Sequence, residues 1–278
     1  MMDYVSLVVT SLNRLELLER SLNSLWQNTD FPYELIVHDD GSEPAVQDWL
    51  TKKLHEGKIS ELILEPTGHN RGNGVSVDRA IACSTGDWIC KLDGDEQFFP
   101  GWLSEAVRTL ELWPQIRLLH CSEWCDYHLR DTPGEYLTYP NWPFMELYRE
   151  YKEGLSVSVV WVGPGEAFLF SRETYKEFGP WDSGMVPSTG EDAQFRMRCC
   201  QMMRLFQDKA PRIRLAGDPS AETQAVLRAK HWEQHKDTPW LAAMNPPTVS
   251  YHWGDGRSAR FDAWKTQSRH PLLLGVQT

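Results

Sequence analysis

The sequence predicts an α/β protein built on a doubly wound, mostly parallel sheet. Short apolar runs typical of strands alternate with helical patterns through the first half of the chain, as in successive β-α-β units. One of these runs, residues 87–92, is apolar almost throughout, which indicates a strand covered on both faces. Ligands of such sheets bind beyond the carboxyl ends of the strands, so we expect the chemistry in the loops that follow them.

The spacing of apolar residues gives the elements of the first half in order. Leu15, Leu18, Leu22 and Leu25 recur on one face of a helix. The predicted strands are residues 4–10, 34–38, 61–64 and 87–92, and the predicted helices are 15–25, about 44–56, a segment ending near 82 that a loop from 70 leads into, and one opened by Phe98-Phe99-Pro100. The loop Asp39-Asp40-Gly41-Ser42 follows the second strand.

The second half is less regular. Residues 157–162 and 167–171 predict two strands, and residues 131–145, rich in proline and aromatic residues, predict a long surface loop. A helix is expected from Gly190 to about residue 206, because acidic residues in a first turn suit the helix dipole. Residues 207–248 give no clear pattern.

The composition excludes disordered, collagen-like and multi-span membrane proteins. With 278 residues, 41% hydrophobic and 24% charged, the chain has the make-up of a soluble globular protein of one large domain or two modest ones. No apolar run approaches the ~18 residues of a membrane-spanning helix, and the N-terminus lacks the basic start of a signal peptide. The six cysteines show no Cys-x-x-Cys spacing, and we expect reduced thiols. Together these features predict a cytoplasmic protein, with peripheral membrane contact left open.

Charge is distributed unevenly along the chain. Residues 1–192 carry 32 acids and 15 bases, whereas residues 193–278 carry 7 acids and 13 bases. The basic C-terminal third, densest at 196–230, either faces an anionic ligand or pairs with the acidic remainder of the chain. A nucleic acid is one such ligand, although an overall pI near 5.3 counts against nonspecific binding.

The motif Asp93-Gly94-Asp95 follows the apolar strand 87–92. Strand alternation points residues i and i+2 the same way, so both carboxylates could meet at the strand end. Hard oxygen ligands of this kind hold Mg²⁺ or Mn²⁺ against a diphosphate. Because Asp-x-Asp often arises by chance, the prediction rests on its context, which is an apolar strand before the motif and a helix opened by Phe98-Phe99-Pro100 after it.

Several motifs occur in a fixed order, and together they resemble the family 2 glycosyltransferases, which have the GT-A fold. In order they are the strand 5–10 followed by Asn13-Arg14, IVHDDGS (36–42), NRGNGVSVDRAIACSTGDWICKLDGDE (70–96), GEAFLFSRETYKEFGPWD (165–182), GED (190–192) and YHWGDGRS (251–258). The resemblance covers residues 4–258. It implies a Rossmann-like nucleotide-sugar half at 1–120, an acceptor-binding and catalytic half of the same domain at 121–256, and a tail at 257–278.

The resemblance also implies roles for individual residues. The nucleotide-binding positions are Thr10, Asn13, Asp39, Asp40, Arg71 and Asp93. The ligands of a Mn²⁺ or Mg²⁺ ion are Asp95, His252 and Asp93. Asp192 matches the general base, with Glu191 as the alternative, and Trp181 and Asp182 match contacts to the acceptor or donor sugar. His252 is separated from Asp95 by more than half of the chain, so only the fold can bring the two together.

The implied reaction is inverting sugar transfer. An acceptor hydroxyl attacks the anomeric carbon while the nucleotide diphosphate leaves from the opposite face, and a carboxylate takes the proton. The resemblance favours a UDP-sugar donor and leaves the acceptor open between a glycan, a lipid-linked sugar, a protein and a modified DNA base; the oligomeric state is also open. Two alternatives remain: a sugar nucleotidyltransferase, although the loop after the first strand lacks that class's glycines, and a catalytically silent binding module.

Overall fold

The computed structural model describes residues 3–121, 146–160, 167–181, 191–200, 233, 236–237, 240–245 and 249–251. Strands and helices alternate strictly at the start of the chain. The elements there are β1 (Val5–Ser11), α1 (Leu15–Asn28), β2 (Tyr33–Asp39), α2 (Pro44–His55), β3 (Glu61–Leu64), α3 (Asn73–Cys83) and β4 (Trp88–Asp93). These seven elements confirm the β-α-β alternation predicted from apolar spacing.

The remaining elements follow one another in a less regular order. They are β5 (Glu96–Phe98), α4 (Trp102–Leu112), β6 (Ile116–His120), β7 (Glu146–Lys152), β8 (Leu155–Val160), β9 (Phe168–Ser171), α5 (Arg172–Phe178), α6 (Glu191–Cys199), β10 (Trp240–Asn245) and β11 (Val249–Tyr251). The expectation that a helix opens at Phe98 is wrong, because Phe98 ends β5 and the helix begins at Trp102. β10 lies in the stretch to which the sequence assigned nothing. The predicted loop at 131–145 is outside the described residues.

The central sheet has the strand order β3-β2-β1-β4-β9-β6-β10-β8-β7. β3, β2, β1 and β4 pair in parallel. Followed across the pairings, seven of the nine strands described in this sheet run one way, and β9 and β8 run against them. The mostly parallel α/β class is therefore confirmed. β5 and β11 form a separate antiparallel pair.

Two apolar clusters cover the two faces of the sheet, as a doubly wound fold requires. One cluster joins alternate residues of β1, Val5, Leu7 and Val9, to α1, α2 and α4. The other joins Val8 and the β9 residues Phe168 and Phe170 to α3 and α6. The alternation along β1 shows why its sequence is apolar at nearly every position.

The sheet continues without a break from β3 to β7, so strands from before and after residue 120 belong to the same sheet. The division into a donor half and an acceptor half at that residue stays a prediction. Among the described residues, no helix has the length and apolar character needed to cross a membrane.

Candidate functional site

The carboxyl ends of the parallel strands bring the predicted residues to one edge of the sheet. Thr10, near the end of β1, is in register with His38 on one side and with Asp93 on the other. Ser11 is in register with Asp39. The sequence places these residues about 30 and 80 positions apart, and the parallel pairing alone accounts for their proximity.

Asp40 organises the loop that precedes α3. Its Oδ1 accepts a hydrogen bond from the backbone N–H of Arg71 at 2.9 Å, and its Oδ2 accepts one from Gly72 at 2.9 Å. Thr10 Oγ1 donates to Asn73 Oδ1 at 2.7 Å. The end of β1 and the loop after β2 therefore fix the start of α3. Gly72, at φ 95°, has the left-handed conformation that glycine adopts without strain.

The Arg71 side chain is held by an acid that the sequence analysis did not single out. Arg71 Nε donates to Glu65 Oε2 at 2.7 Å, and the Glu65 carboxylate also pairs with Arg79. Glu65 is buried, while the two arginines are about half exposed. Glu65 thus anchors a basic surface beside the loop that Asp40 fixes.

Asp39 is used inside its own loop. Its Oδ1 accepts from the Ser42 backbone N–H and from Gln47 Nε2, both at 2.9 Å, and its Oδ2 accepts from the Ser42 hydroxyl. The side chain is fully buried. Its contacts stabilise the turn between β2 and α2, and its predicted share in nucleotide binding stays a prediction.

Asn13 and Arg14 lie in the turn between β1 and α1, both in the left-handed region with φ of 57° and 55°. The Asn13 backbone N–H donates to Ser42 Oγ at 2.7 Å, and its Oδ1 accepts from the Glu43 N–H at 2.9 Å. Arg14 Nη1 pairs with Asp95 Oδ2 at 2.6 Å. The turn therefore ties the loop after β2 to the Asp-Gly-Asp motif.

The Asp-Gly-Asp motif spans the end of a strand. β4 ends at Asp93, and Gly94 and Asp95 form a turn, so strand alternation does not relate the two carboxylates as expected. A Cβ on Gly94 would lie 3.2 Å from both Thr10 O and Leu18 Cδ1. Glycine therefore lets the turn approach β1 and α1 closely. Asp95 is fully buried, and Asp93 keeps 17% of its side chain exposed.

Lys91 links the motif to the predicted general base. Its Nζ donates to Asp93 Oδ1 at 2.7 Å and to Asp192 Oδ2 at 3.0 Å, and its side chain is fully buried. Burial alone lowers the pKa of Lys91, but the Asp192 and Asp93 carboxylates outweigh it and raise the pKa above its ordinary value. The ammonium group therefore stays charged between the two acids. Sequence reasoning missed Lys91, although a lysine inside an otherwise apolar strand is a signal that could have found it.

Trp181 holds the other oxygen of Asp192. Its Nε1 donates to Asp192 Oδ1 at 2.9 Å. The indole stacks on Phe195, with ring centroids 3.9 Å apart and planes at 12°, and its exposed fraction is 2%. Trp181 therefore orients an acid from within the apolar cluster, whereas the sequence predicted a sugar contact.

Glu96 follows Asp95 and is, like it, fully buried. Its Oε1 accepts from the Ala167 backbone N–H at 2.7 Å. Burial raises the pKa of Glu96 well above its ordinary value, and the nearby Asp93 charge adds to the effect. Glu96 is therefore a buried acid that joins β5 to the start of β9.

For three of the predicted site residues, the structure does not describe the side chain, so their roles stay predictions. Asp182 and His252 lie outside the described residues, and Glu191 begins α6 with its side chain also outside them. β11 does approach the site, since Tyr251 is in register with Glu96, next to Asp95. In the portion of the chain described, no three His, Cys, Asp or Glu side chains form a group that could hold a metal ion.

Comparison with known proteins identifies the family and the fold. The model of Glycosyl transferase family 2 matches residues 6–179. An uncharacterized glycosyltransferase of Nostoc sp. is 25% identical over 118 residues, 42% of this chain and 35% of the relative. Glucosyl-dolichyl phosphate glucuronosyltransferase of Haloferax volcanii is 31% identical over 112 residues, 38% of this chain and 34% of the relative. The chain thus spans about a third of the length of these curated relatives.

Solved structures agree on the fold. S. aureus TarS in complex with UDP-GlcNAc has a TM-score of 0.57 at 15% identity, covering 92% of this chain and 61% of that one. GalNAc-T7 with UDP, GalNAc and Mn²⁺ has a TM-score of 0.56 at 13% identity, covering 91% and 43%. At such identities the likeness shows the fold alone, which is the GT-A fold. Because the family model matches more than half of the chain, the protein belongs to glycosyl transferase family 2.

Proposed function

We propose that this chain is an inverting glycosyltransferase that moves a sugar from a nucleotide diphosphate sugar to a hydroxyl group of an acceptor. The observation that carries the proposal is the linked pair of acids, Asp93 at the end of β4 and Asp192 at the start of α6, joined through Lys91 Nζ. Both carboxylates keep a small exposed fraction, 17% and 14%. The proposed reaction uses one carboxylate beside the donor, Asp93, and one carboxylate that takes the acceptor proton as general base, Asp192.

The nucleotide is expected to bind along the carboxyl ends of β1, β2 and β4. Thr10, Asn13, Asp39, Asp40, Arg71 and Asp93 are the proposed nucleotide-binding residues. Asp40 would act through the loop it fixes, because both of its oxygens accept backbone hydrogen bonds. A UDP-sugar is the first donor to test, since UDP or UDP-GlcNAc is present in the similar solved structures.

Mn²⁺ or Mg²⁺ is the proposed cofactor. Asp93 lies at the strand end with 17% of its side chain exposed, and Asp95 lies in the following turn, buried and paired with Arg14. Their carboxylates are hard oxygen ligands, and such ions accept one or two carboxylates together with substrate phosphates. His252, the residue after Tyr251 in sequence, is the proposed third ligand. When bound, the ion would stabilise the negative charge that develops on the leaving diphosphate. GalNAc-T7, one of the similar structures, contains Mn²⁺.

Asp192 is the proposed general base, with Glu191 as the alternative. The acceptor oxygen forms a bond to the anomeric carbon, the bond from that carbon to the diphosphate oxygen breaks, and the diphosphate leaves with the electron pair. The hydroxyl proton passes to a carboxylate oxygen of Asp192. Trp181 and Lys91 each use one oxygen of this carboxylate, and each oxygen has a second lone pair for the acceptor. Asp182 remains the proposed residue beside the sugar, and Trp181, with an exposed fraction of 2%, acts through Asp192.

The acceptor is proposed at the level of chemistry: a hydroxyl group on a carbohydrate or on an anionic molecule. A lipid-linked sugar is the first to test, because the name of the Haloferax relative includes glucosyl-dolichyl phosphate. A phosphate-bearing acceptor would suit the basic residues 196–230. Glycans, proteins and, last, a modified DNA base are the other candidates.

Nucleotide binding and transfer can be tested separately. Melting temperature is measured with UDP, GDP, dTDP and CDP, each with and without Mn²⁺, because selective binding to the native state raises it. One nucleotide is expected to stabilise the protein, and only with the metal. Donors of that nucleotide are then assayed for transfer to lipid-linked acceptors and for hydrolysis.

Asp192→Asn separates an enzyme from a silent binding module. The variant is expected to keep nucleotide stabilisation and to lose transfer by roughly 10²- to 10⁴-fold, the usual contribution of a general base. Asp48→Asn, at an exposed position of α2, is the matched control and should transfer at the wild-type rate. Nucleotide binding with no transfer or hydrolysis of any donor by the wild type would contradict the proposed function.

A further inference from the structure

We propose that Lys91 is a positioning residue for sugar transfer: it fixes the Asp192 carboxylate and sets its place relative to Asp93. This inference rests on the proposed function, since it assigns Lys91 to the same reaction. Lys91 is proposed to contact neither donor nor acceptor. It acts through the carboxylate that takes the proton.

The geometry makes Lys91 the direct connection between two distant parts of the chain. β4 and α6 are about 100 residues apart in sequence, and the Lys91 ammonium spans them with contacts of 2.7 Å and 3.0 Å. Strand alternation directs Lys91 and Asp93 to the same side of β4. On that side, the ammonium lies 5.7 Å from the centroid of the Phe168 ring. The lysine therefore stands between the apolar cluster and the site.

A buried ammonium group is stable only when it is paired and hydrogen-bonded. Lys91 has both carboxylates as partners, and each carboxylate in turn is held near the other by a shared positive charge. Without the lysine charge, two acids would remain close together and repel each other. Because Asp192 is at the first turn of α6, the repulsion is expected to displace it from Asp93.

The Asp192 carboxylate is held at two points. Lys91 Nζ bonds Oδ2, and Trp181 Nε1 bonds Oδ1 at 2.9 Å. Two contacts on different oxygens fix both the position and the rotation of the carboxyl group. A displacement of about 1 Å at a reacting group can cost ~10²-fold in rate. Loss of Lys91 should therefore lower kcat and leave donor binding largely intact.

The test is a double-mutant cycle on kcat, with Lys91→Met, Asp192→Asn and the double variant. Lys91→Met is expected to lower kcat about 10- to 100-fold, with less than about a threefold change in donor KM and in UDP affinity measured by calorimetry. If Lys91 acts through Asp192, the double variant should be no slower than Asp192→Asn alone. Lys52→Met, at an exposed position of α2, should match the wild type.

Each other outcome overturns the inference. Multiplicative losses in the double variant would mean that Lys91 acts independently of Asp192. A raised donor KM with unchanged kcat would assign Lys91 to donor binding through Asp93, and an unchanged kcat would leave it no role in the reaction. If Lys91→Met does not fold, Lys91→Gln, which keeps a hydrogen-bond donor without the charge, takes its place in the same cycle. An inactive wild type would count against the proposed function, whereas an active wild type with an equally active variant would count against Lys91.

Discussion

Trp181 donates its indole N–H to Asp192 Oδ1 at 2.9 Å while its ring stacks on Phe195 at 3.9 Å. A single side chain therefore belongs both to the apolar cluster on one face of the sheet and to the candidate site above it. Asp192 takes its orientation from an aromatic group whose own position is set by core packing. The proposed general base is thus positioned by residues that sequence patterns assign to the interior.

Trp181→Phe isolates the hydrogen bond from the stacking. Phenylalanine keeps an aromatic ring against Phe195 but cannot donate to Asp192. We expect kcat to fall about 10- to 100-fold, since a hydrogen bond to a charged group contributes roughly 1.5–3 kcal/mol. Donor KM should change little. Steady-state kinetics with the donor identified by nucleotide binding would measure both.

Trp113→Phe is the matched control. Trp113 is also fully buried, and its Nε1 donates to a carboxylate oxygen of Glu150 at 2.6 Å, but it belongs to the cluster on the opposite face of the sheet. Both variants should lose roughly 1–3 kcal/mol of unfolding free energy. Equal losses of kcat in the two variants would show that general destabilisation, rather than Asp192 orientation, slows the reaction.

The sequence predicted which residues lie at the carboxyl ends of the parallel strands, but it did not predict which buried charged side chains contact one another. Thr10, Asp40 and Asp93 could be placed together because each lies at or just after the carboxyl end of an apolar strand, and parallel strands end on the same side of the sheet. Lys91 and Glu65 could not. The contact of Lys91 with Asp192 joins segments about 100 residues apart, and the contact of Glu65 with Arg71, only six residues away, depends on side-chain packing in the loop before α3. A charged residue in a buried strand indicates that such a contact exists but does not indicate which residue is its partner.

Short and late strands were missed for a different reason. β5 has three residues, too few for a period-2 pattern to show. β10 is stabilised by pairing with β6 and β8, each more than 80 residues earlier. No local turn signal links β10 to either strand. Long-range pairing, rather than local propensity, makes these segments strands.

Asp40→Asn should weaken the loop before α3. The asparagine side chain offers one acceptor oxygen and an NH₂ group, so it can satisfy only one of the two N–H groups of Arg71 and Gly72. We expect a loss of roughly 1–3 kcal/mol in unfolding free energy from the unsatisfied donor. We also expect about tenfold weaker UDP binding, because the loop lines the proposed nucleotide site. Urea unfolding and calorimetry measure the two effects, with Asp48→Asn as the control, and wild-type UDP affinity in Asp40→Asn would remove this loop from the nucleotide site.

His38 predicts a loss of stability at mildly acidic pH. The side chain is fully buried on β2, and burial lowers its pKa below the ordinary value of 6.5. Asp40 and Asp39 act in the opposite direction without cancelling the effect of burial, and Arg79 reinforces it. Between pH 6.5 and the lower pKa of the folded state, His38 is therefore protonated in the unfolded chain but neutral in the folded protein.

The free energy of unfolding should accordingly fall as pH falls through 6.5, by at most about 1.4 kcal/mol per pH unit from this group. Above about pH 7.5 neither state is protonated, and the contribution of His38 is constant. Urea unfolding at pH 7.5 and 5.5 measures the difference. His38→Gln should make that difference smaller, by at most about 1.4 kcal/mol, whereas His55→Gln, at an exposed position of α2, should leave it unchanged. Glutamine has no group that titrates in this range. If His38→Gln keeps the wild-type pH dependence, other groups cause the acid sensitivity.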